Sequence, residues 1–161
     1  MNKSWIANGF TAANALFGGL SIMMSISGEY HVAAICILIA MAADAFDGRV
    51  ARALGTAGPM GVELDSLSDD ISFGVAAGAL MYSYQLRELG ALGFIPCALL
   101  GAFCAFRLAR FNVKVTFVHG YFEGLPCPTV GVIIACYVLS GVKIWNWLAM
   151  VCVLVLAVLM V

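Results

Sequence analysis

Six of the chain's nine acidic residues, Asp44, Asp47, Glu63, Asp65, Asp69 and Asp70, fall in one short stretch of an otherwise apolar sequence. Read as a helix at roughly 100° per residue, Asp44, Asp47, Gly48, Ala51 and Arg52 lie at roughly 0°, 300°, 40°, 340° and 80°, on one face. Gly55–Gly61, with Gly58 and Pro59 inside it, has the composition of a turn. Beyond it Asp65 and Asp69 stand one turn apart on one side of the next helix. A hairpin then gathers four carboxylates, and like charges held together at membrane depth require a cation. Carboxylate oxygens are hard ligands that suit Mg²⁺, Mn²⁺ or Ca²⁺, whereas His31 and His119 have no zinc-like spacing. Two ions in such a cluster can clamp the attacking and leaving oxygens of a phosphoryl centre, so a phosphate-bearing substrate is expected. Arg52 offers phosphate a planar fork, and Gly48 and Gly61 permit close approach to the backbone. Taken alone, the glycines and Ala51 are equally explained by tight helix packing.

The elements that position these residues are membrane helices. The chain has 161 residues, is 63% hydrophobic and 11% charged, and has a mean hydropathy of +1.02, against a charged share of about 25% in soluble domains. An all-α integral membrane protein is expected, with six transmembrane helices at Ile6–Ser27, His31–Leu54, Ser66–Tyr84, Leu89–Phe111, Cys127–Gly141 and Ile144–Val161, since runs of about 20 apolar residues cross the hydrocarbon core. They form one domain over residues 1–161. The first run carries Asn8, Thr11 and Asn14 and is too long for a signal-peptide core. The fifth is short and follows Pro126 and Pro128; the Gly124–Pro128 segment lacks two backbone donors and is expected to line a polar cavity, or to be a simple turn. The sixth reaches the last residue without a polar tail, a pattern compatible with truncation.

Cytoplasmic ends carry the excess of Lys and Arg. With the N-terminus inside, Lys3, Arg49, Arg52, Arg107, Arg110 and Lys114 fall on the inner side and only Arg87 and Lys143 outside. Trp5 and Tyr121 then sit near the inner interface, and Tyr30, Tyr82, Tyr84, Trp145 and Trp147 near the outer one. The six cysteines, without a C-x-x-C pair, read as small hydrophobes rather than disulfides or zinc ligands. A net charge of −1 gives no reason to expect a nucleic-acid partner.

The stretch has the form D-x2-D-G-x2-A-R-x8-G-x3-D-x3-D, with Asp44, Asp47, Gly48, Ala51, Arg52, Gly61, Asp65 and Asp69 in the fixed places. This resembles the signature of the CDP-alcohol phosphotransferases, and "NGFTAANALFGG" looks like that family's Asn/Thr-bearing first helix. The resemblance implies the family's six-helix fold, transfer of a phospho-alcohol group from a CDP-linked donor to a hydroxyl with release of CMP, a pair of Mg²⁺ or Mn²⁺ ions, and a homodimer. It makes Asp44, Asp47, Asp65 and Asp69 the metal ligands, with Asp69 also the general base. Asp44, Gly48, Arg52, Gly61 and Asp65 become the binding residues for the CDP portion. Asp70 is an extra acid beside the motif, expected to point about 100° away from Asp69 on a regular helix and to act from behind the ligands or at an interface.

Three stretches, "DGRVARALGTAGPMGVELDSLSDDISFGVA", "FRLARFN" at Phe106–Asn112 and "FEGLPCP" at Phe122–Pro128, resemble the phosphatidylserine synthase branch, with Ser68 and Asp70 departing from its usual residues. The implied donor is CDP-diacylglycerol and the implied acceptor L-serine, at a site facing the cytoplasm from the cell membrane. Arg107 and Arg110, on one helical side, are candidates to hold serine's carboxylate or the donor phosphates, as against plain positive-inside anchors. Asn8 is a further acceptor-binding candidate, and Asn8, Thr11 and Asn14 either face the cavity or bond neighbouring helices. Glycerol 3-phosphate or an inositol phosphate remains an alternative acceptor. A divalent-cation transporter would also bury acids, but would string them along a path rather than cluster them beside an arginine.

Overall fold

The computed structural model describes the backbone of residues 4–54, 58–114 and 124–161, and the side chains of residues 9–50, 58, 60–113 and 124–161. Trp5, Lys114, His119, Tyr121 and the Gly55–Ala57 part of the expected turn lie outside the described residues or side chains, as do the side chains of Asn8, Ala51 and Arg52. All described regular structure is helical: α1 (Ser4–Ile26), α2 (Tyr30–Leu54), α3 (Pro59–Asp69), a π-helical turn (Asp70–Val75), α4 (Ala76–Tyr84), a 3-10 turn (Leu86–Leu89), α5 (Ala91–Lys114), α6 (Cys127–Leu139) and α7 (Asn146–Met160). Helical backbone angles persist from Asp69 through Ala76, so α3, the π turn and α4 make one continuous rod. Six rods result.

The chain is a membrane protein by composition, and α1, α2 and α5 each contain an apolar stretch long enough to cross, at Gly9–Ile26, Tyr30–Val50 and Ala91–Val113. Helices α6 and α7 are apolar but shorter; at 13 residues α6 measures about 20 Å. The expected turn over Gly55–Gly61 ends earlier than composition suggests. Gly58 is the N-cap and Pro59 opens α3, where a missing N–H costs nothing, so Gly61 lies in the first helical turn, its N–H bonded to the Gly58 carbonyl.

Lipid tails are as apolar as leucine, so the rods are held by close packing and buried polar contacts. Helix α1 packs along α2, α5 against α7, and α2 against α6. The inward stripe of α2 runs through Ala33, Ala34, Ile37 and Ala40, all fully buried, and the same 3–4 spacing carries it on to Asp44 and Asp47. The α3–α4 rod does likewise in the opposite sense, from Leu80, Ala77 and Phe73 back to Asp69 and Asp65. Helix α1 is polar inside: Thr11, Asn14, Ser21 and Ser25 are buried, while Leu16, Met23 and Ile26 are exposed on the lipid side.

Candidate active site

The site forms where the inward stripes of α2 and α3 meet, about 10–15 Å along each helix from the ends joined by the Gly58 turn. Asp44, Asp47 and Asp65 each bring a carboxylate oxygen within 4.8 Å of the others. At that spacing two ionised groups repel by about 3 kcal/mol even at an effective dielectric near 20. Asp65 Oδ1 is buried and has no hydrogen-bond partner in the structure. Three converging carboxylates, one with an orphaned buried oxygen, fit a hard divalent cation.

Helix α1 supports two of the four aspartates. Thr11 Oγ1 donates to Asp47 Oδ2 at 2.9 Å, and Asn14 Nδ2 donates to Asp69 Oδ1 at 3.0 Å. Thr11 and Asn14 therefore face the site and bond neighbouring helices at once. The α3 rod reciprocates: Ser68 Oγ bonds the Thr11 carbonyl at 3.1 Å as well as Leu64 O within its own helix, and Ser72 Oγ bonds the Asn14 carbonyl at 2.9 Å. Asp69 is buried and lies outside the compact triad.

Asp70 opens the π turn with the same right-handed helical backbone as Asp69, in keeping with the expectation that it points away from Asp69. The turn packs closely at Gly74: a Cβ there would stand 2.8 Å from Asp70 Oδ1, 2.9 Å from Cys104 Cβ and 3.1 Å from the Gly101 Cα. Asp70 faces α5, with Oδ1 buried and unpartnered. No periodicity in the sequence marks this turn.

The two candidate arginines separate. Arg107 Nη1 reaches Cys127 Sγ at 3.6 Å, at the start of α6, and its Nε is buried without a partner. Arg110, exposed, donates to the Val161 carbonyl at 3.3 Å. The Gly124–Pro128 segment seats on the end of α7, with Leu125 N bonded to Leu159 O at 2.9 Å, and it delivers the buried Cys127 to Arg107. Gly48 and Gly61 border the carboxylates, both half-buried. All six cysteines are free thiols.

Residues 4–159 match the CDP-alcohol phosphatidyltransferase family. The chain is 37% identical over 137 residues to a CDP-diacylglycerol–serine O-phosphatidyltransferase of Helicobacter pylori, covering 84% of this chain and 58% of that protein. It is 38% identical over 122 residues to the enzyme of the same name from Bacillus subtilis, covering 75% of this chain and 68% of that protein. An archaetidylserine synthase of Methanothermobacter thermautotrophicus is 41% identical over 135 residues, covering 80% of this chain and 55% of that protein. The chain thus spans little more than half the length of two of these three relatives. With a match over nearly its whole length and a carboxylate site built from the matching signature, the chain belongs to the CDP-alcohol phosphatidyltransferase family.

Proposed function

We propose that the chain transfers the phosphatidyl group of CDP-diacylglycerol to the hydroxyl of L-serine, giving phosphatidylserine and CMP. The observation that carries this reading is the division among the carboxylates: three converge as a cation site, while Asp69 stands beside them held by an amide. The names of the relatives supply the acceptor, since serine is common to all three while the lipid named differs.

Asp44, Asp47 and Asp65, with Asp69 at their edge, would hold a pair of Mg²⁺ or Mn²⁺ ions. When bound, these supply charge neutralisation for the diphosphate and for the leaving CMP. The chain's own residues do the rest. Asp69 takes the proton from the serine hydroxyl, whose oxygen forms a bond to the phosphorus bearing diacylglycerol. The bond from that phosphorus to the bridging oxygen breaks, and CMP leaves with the electron pair. Arg52, Gly48 and Gly61 receive the CDP portion, and Arg107 holds the serine carboxylate as a charge-assisted pair. Arg110, directed to the end of α7, is better suited to the membrane surface, and Asn8 lies one turn before Thr11 on the helix that lines the site.

The distribution of basic residues favours this end of the bundle at the cytoplasmic side of the cell membrane, where a soluble acceptor meets a lipid donor. A homodimer is the expected assembly. The test supplies purified protein and Mg²⁺ or Mn²⁺ with CDP-diacylglycerol and, separately, L-serine, glycerol 3-phosphate and an inositol phosphate. CMP release is measured and the lipid product identified by mass spectrometry. Phosphatidylserine as the main product supports the reading. A product from another alcohol alone replaces the acceptor, and metal-independent or absent CMP release overturns the reaction.

A further inference from the structure

We infer that Asn14 is a positioning residue that fixes the orientation of Asp69 for proton abstraction, a role distinct from the metal-holding support that Thr11 gives Asp47. This rests on the proposed reaction and concerns how its base is aimed. Asn14 is fully buried, and its amide donates to Asp69 Oδ1 at 3.0 Å. That bond ties down one carboxylate oxygen and so sets how the carboxyl meets Asp44 and the carboxylate cluster, where the acceptor hydroxyl would arrive.

Two features separate this arrangement from ordinary helix bonding. Asn14 Oδ1 is buried and has no donor, whereas an asparagine that merely joins helices would satisfy both ends of its amide; a buried polar atom left bare in a native fold calls for an explanation. The asparagine is also clamped from behind. Its carbonyl accepts from Ser72, and one turn later a Cβ on Gly18 would sit 2.9 Å from the Ser72 Cα, so α1 and the π turn approach too closely for Asn14 to shift. Asp69 is thereby held from a neighbouring helix whose distance is set by contact. Displacing a reacting group by about 1 Å can cost on the order of 100-fold in rate.

The test compares Asn14→Leu, Asn14→Asp and Thr11→Val with the unaltered protein in one detergent. Mn²⁺ affinity is followed by electron paramagnetic resonance, thermal unfolding with and without Mn²⁺ is recorded, and kcat and both KM values are measured with CDP-diacylglycerol and the acceptor panel. Asn14→Leu and Asn14→Asp should lower kcat about 10–100-fold, the range typical of partners that orient the groups in contact with a metal, with Mn²⁺ affinity and both KM values close to those of the unaltered protein. Thr11→Val should show the opposite pattern, weakened Mn²⁺ binding with kcat largely restored at saturating metal. Equal losses of metal affinity and kcat in Asn14 and Thr11 variants, or unchanged kcat in both Asn14 variants, overturn the inference while leaving the reaction intact. Should Asn14→Leu fail to fold, Asn14→Asp, which keeps the size but exchanges the fixed amide donor for a carboxyl that can donate only by sharing a proton with Asp69, decides. Absence of CMP release by the unaltered protein with every acceptor instead overturns the reaction, and this inference with it.

Discussion

The two ends of the bundle differ in how completely their buried polar groups are paired. At the end where α4 turns into α5 and α6 into α7, the polar groups are paired with one another. Gln85 is buried and accepts from the Tyr137 hydroxyl while donating to the Ile144 carbonyl and Asn146 Oδ1. Asn146 in turn donates to Glu88 at 2.8 Å, Lys143 lies 4.7 Å over the Tyr84 ring, and Tyr84 meets Tyr30 and Tyr137 edge-on. At the other end, Asn14 Oδ1, Asp65 Oδ1, Asp70 Oδ1 and Arg107 Nε are buried without partners, and a fifth such atom, Ser21 Oγ, lies further along α1 toward the first end. Burying a polar group unpaired is costly, so the first end has the features of a stabilising network, while the second has the unfilled bonding capacity that the proposed ligands would use. The expected aromatic belt coincides with the stable end.

The largest effects should come from removing members of the open end. Asp44→Ala and Asp65→Ala each delete one of three converging carboxylates, and turnover should fall by more than the about 10–100-fold that partners behind the ligands cost. Stabilisation by Mn²⁺ in thermal unfolding should disappear in both. The metal-free variants should be no less stable than the unaltered protein, because a repulsion is lost with the ligand. A metal-free variant that unfolds much earlier would show these acids to be structural and erase the distinction between the ends.

The carboxylate hairpin was legible in the sequence because charge is scarce there. Against an apolar background, Asp44, Asp47, Asp65 and Asp69 announce their faces, and helical spacing is enough to point them at one another. The α1 stripe was only half legible. Thr11 and Asn14 stood out, but Ser21 and Ser25, which continue the buried face, carry no charge and resemble the small residues scattered through every membrane helix. The assignment of Thr11 to Asp47 and Asn14 to Asp69 depends on the relative height of two helices, which no single-helix periodicity contains. The π turn was invisible for a related reason: Gly74 within it packs against Cys104 and Gly101 of another rod, a contact between residues far apart in sequence. The separation of Arg107 from Arg110 likewise depends on where α6 and α7 place Cys127 and Val161.

A smaller and more selective effect is expected at Arg107. Arg107→Ala removes the cation beside Cys127, and hydrogen bonds to charged groups are worth enough to raise the KM for serine by about 10–100-fold. The KM for CDP-diacylglycerol should change far less, and serine methyl ester should lose its disadvantage against serine in this variant. Equal changes in both KM values would assign Arg107 to the donor phosphates. The paired end should answer differently. Gln85→Leu strands the Tyr137 hydroxyl and the Asn146 side chain, and should destabilise the fold by about 1–3 kcal/mol with kcat and both KM values unchanged per folded molecule. Loss of turnover at undiminished stability would tie this end to the chemistry.

The smallest effect, and the sharpest test of where the open end stops, is expected at Asp70. It neighbours Asp69 in sequence but faces α5, where its Oδ1 is buried beside Gly74 without a hydrogen-bond partner while the carboxyl also meets the Cys104 thiol. A carboxyl group so placed contributes no ligand to the Asp44–Asp47–Asp65 triad and is satisfied less well than an apolar side chain of similar size would be. Asp70→Leu should therefore be neutral or stabilising by about 1 kcal/mol, since replacing an incompletely satisfied buried polar group with an apolar one removes a desolvation cost. Mn²⁺ affinity and turnover should stay at the level of the unaltered protein. If Asp70→Leu instead abolishes turnover in a protein of normal stability and metal affinity, the reactive region extends across the π turn to α5. The boundary between bonding capacity kept for a ligand and bonding capacity merely left unfilled would then lie beyond Cys104.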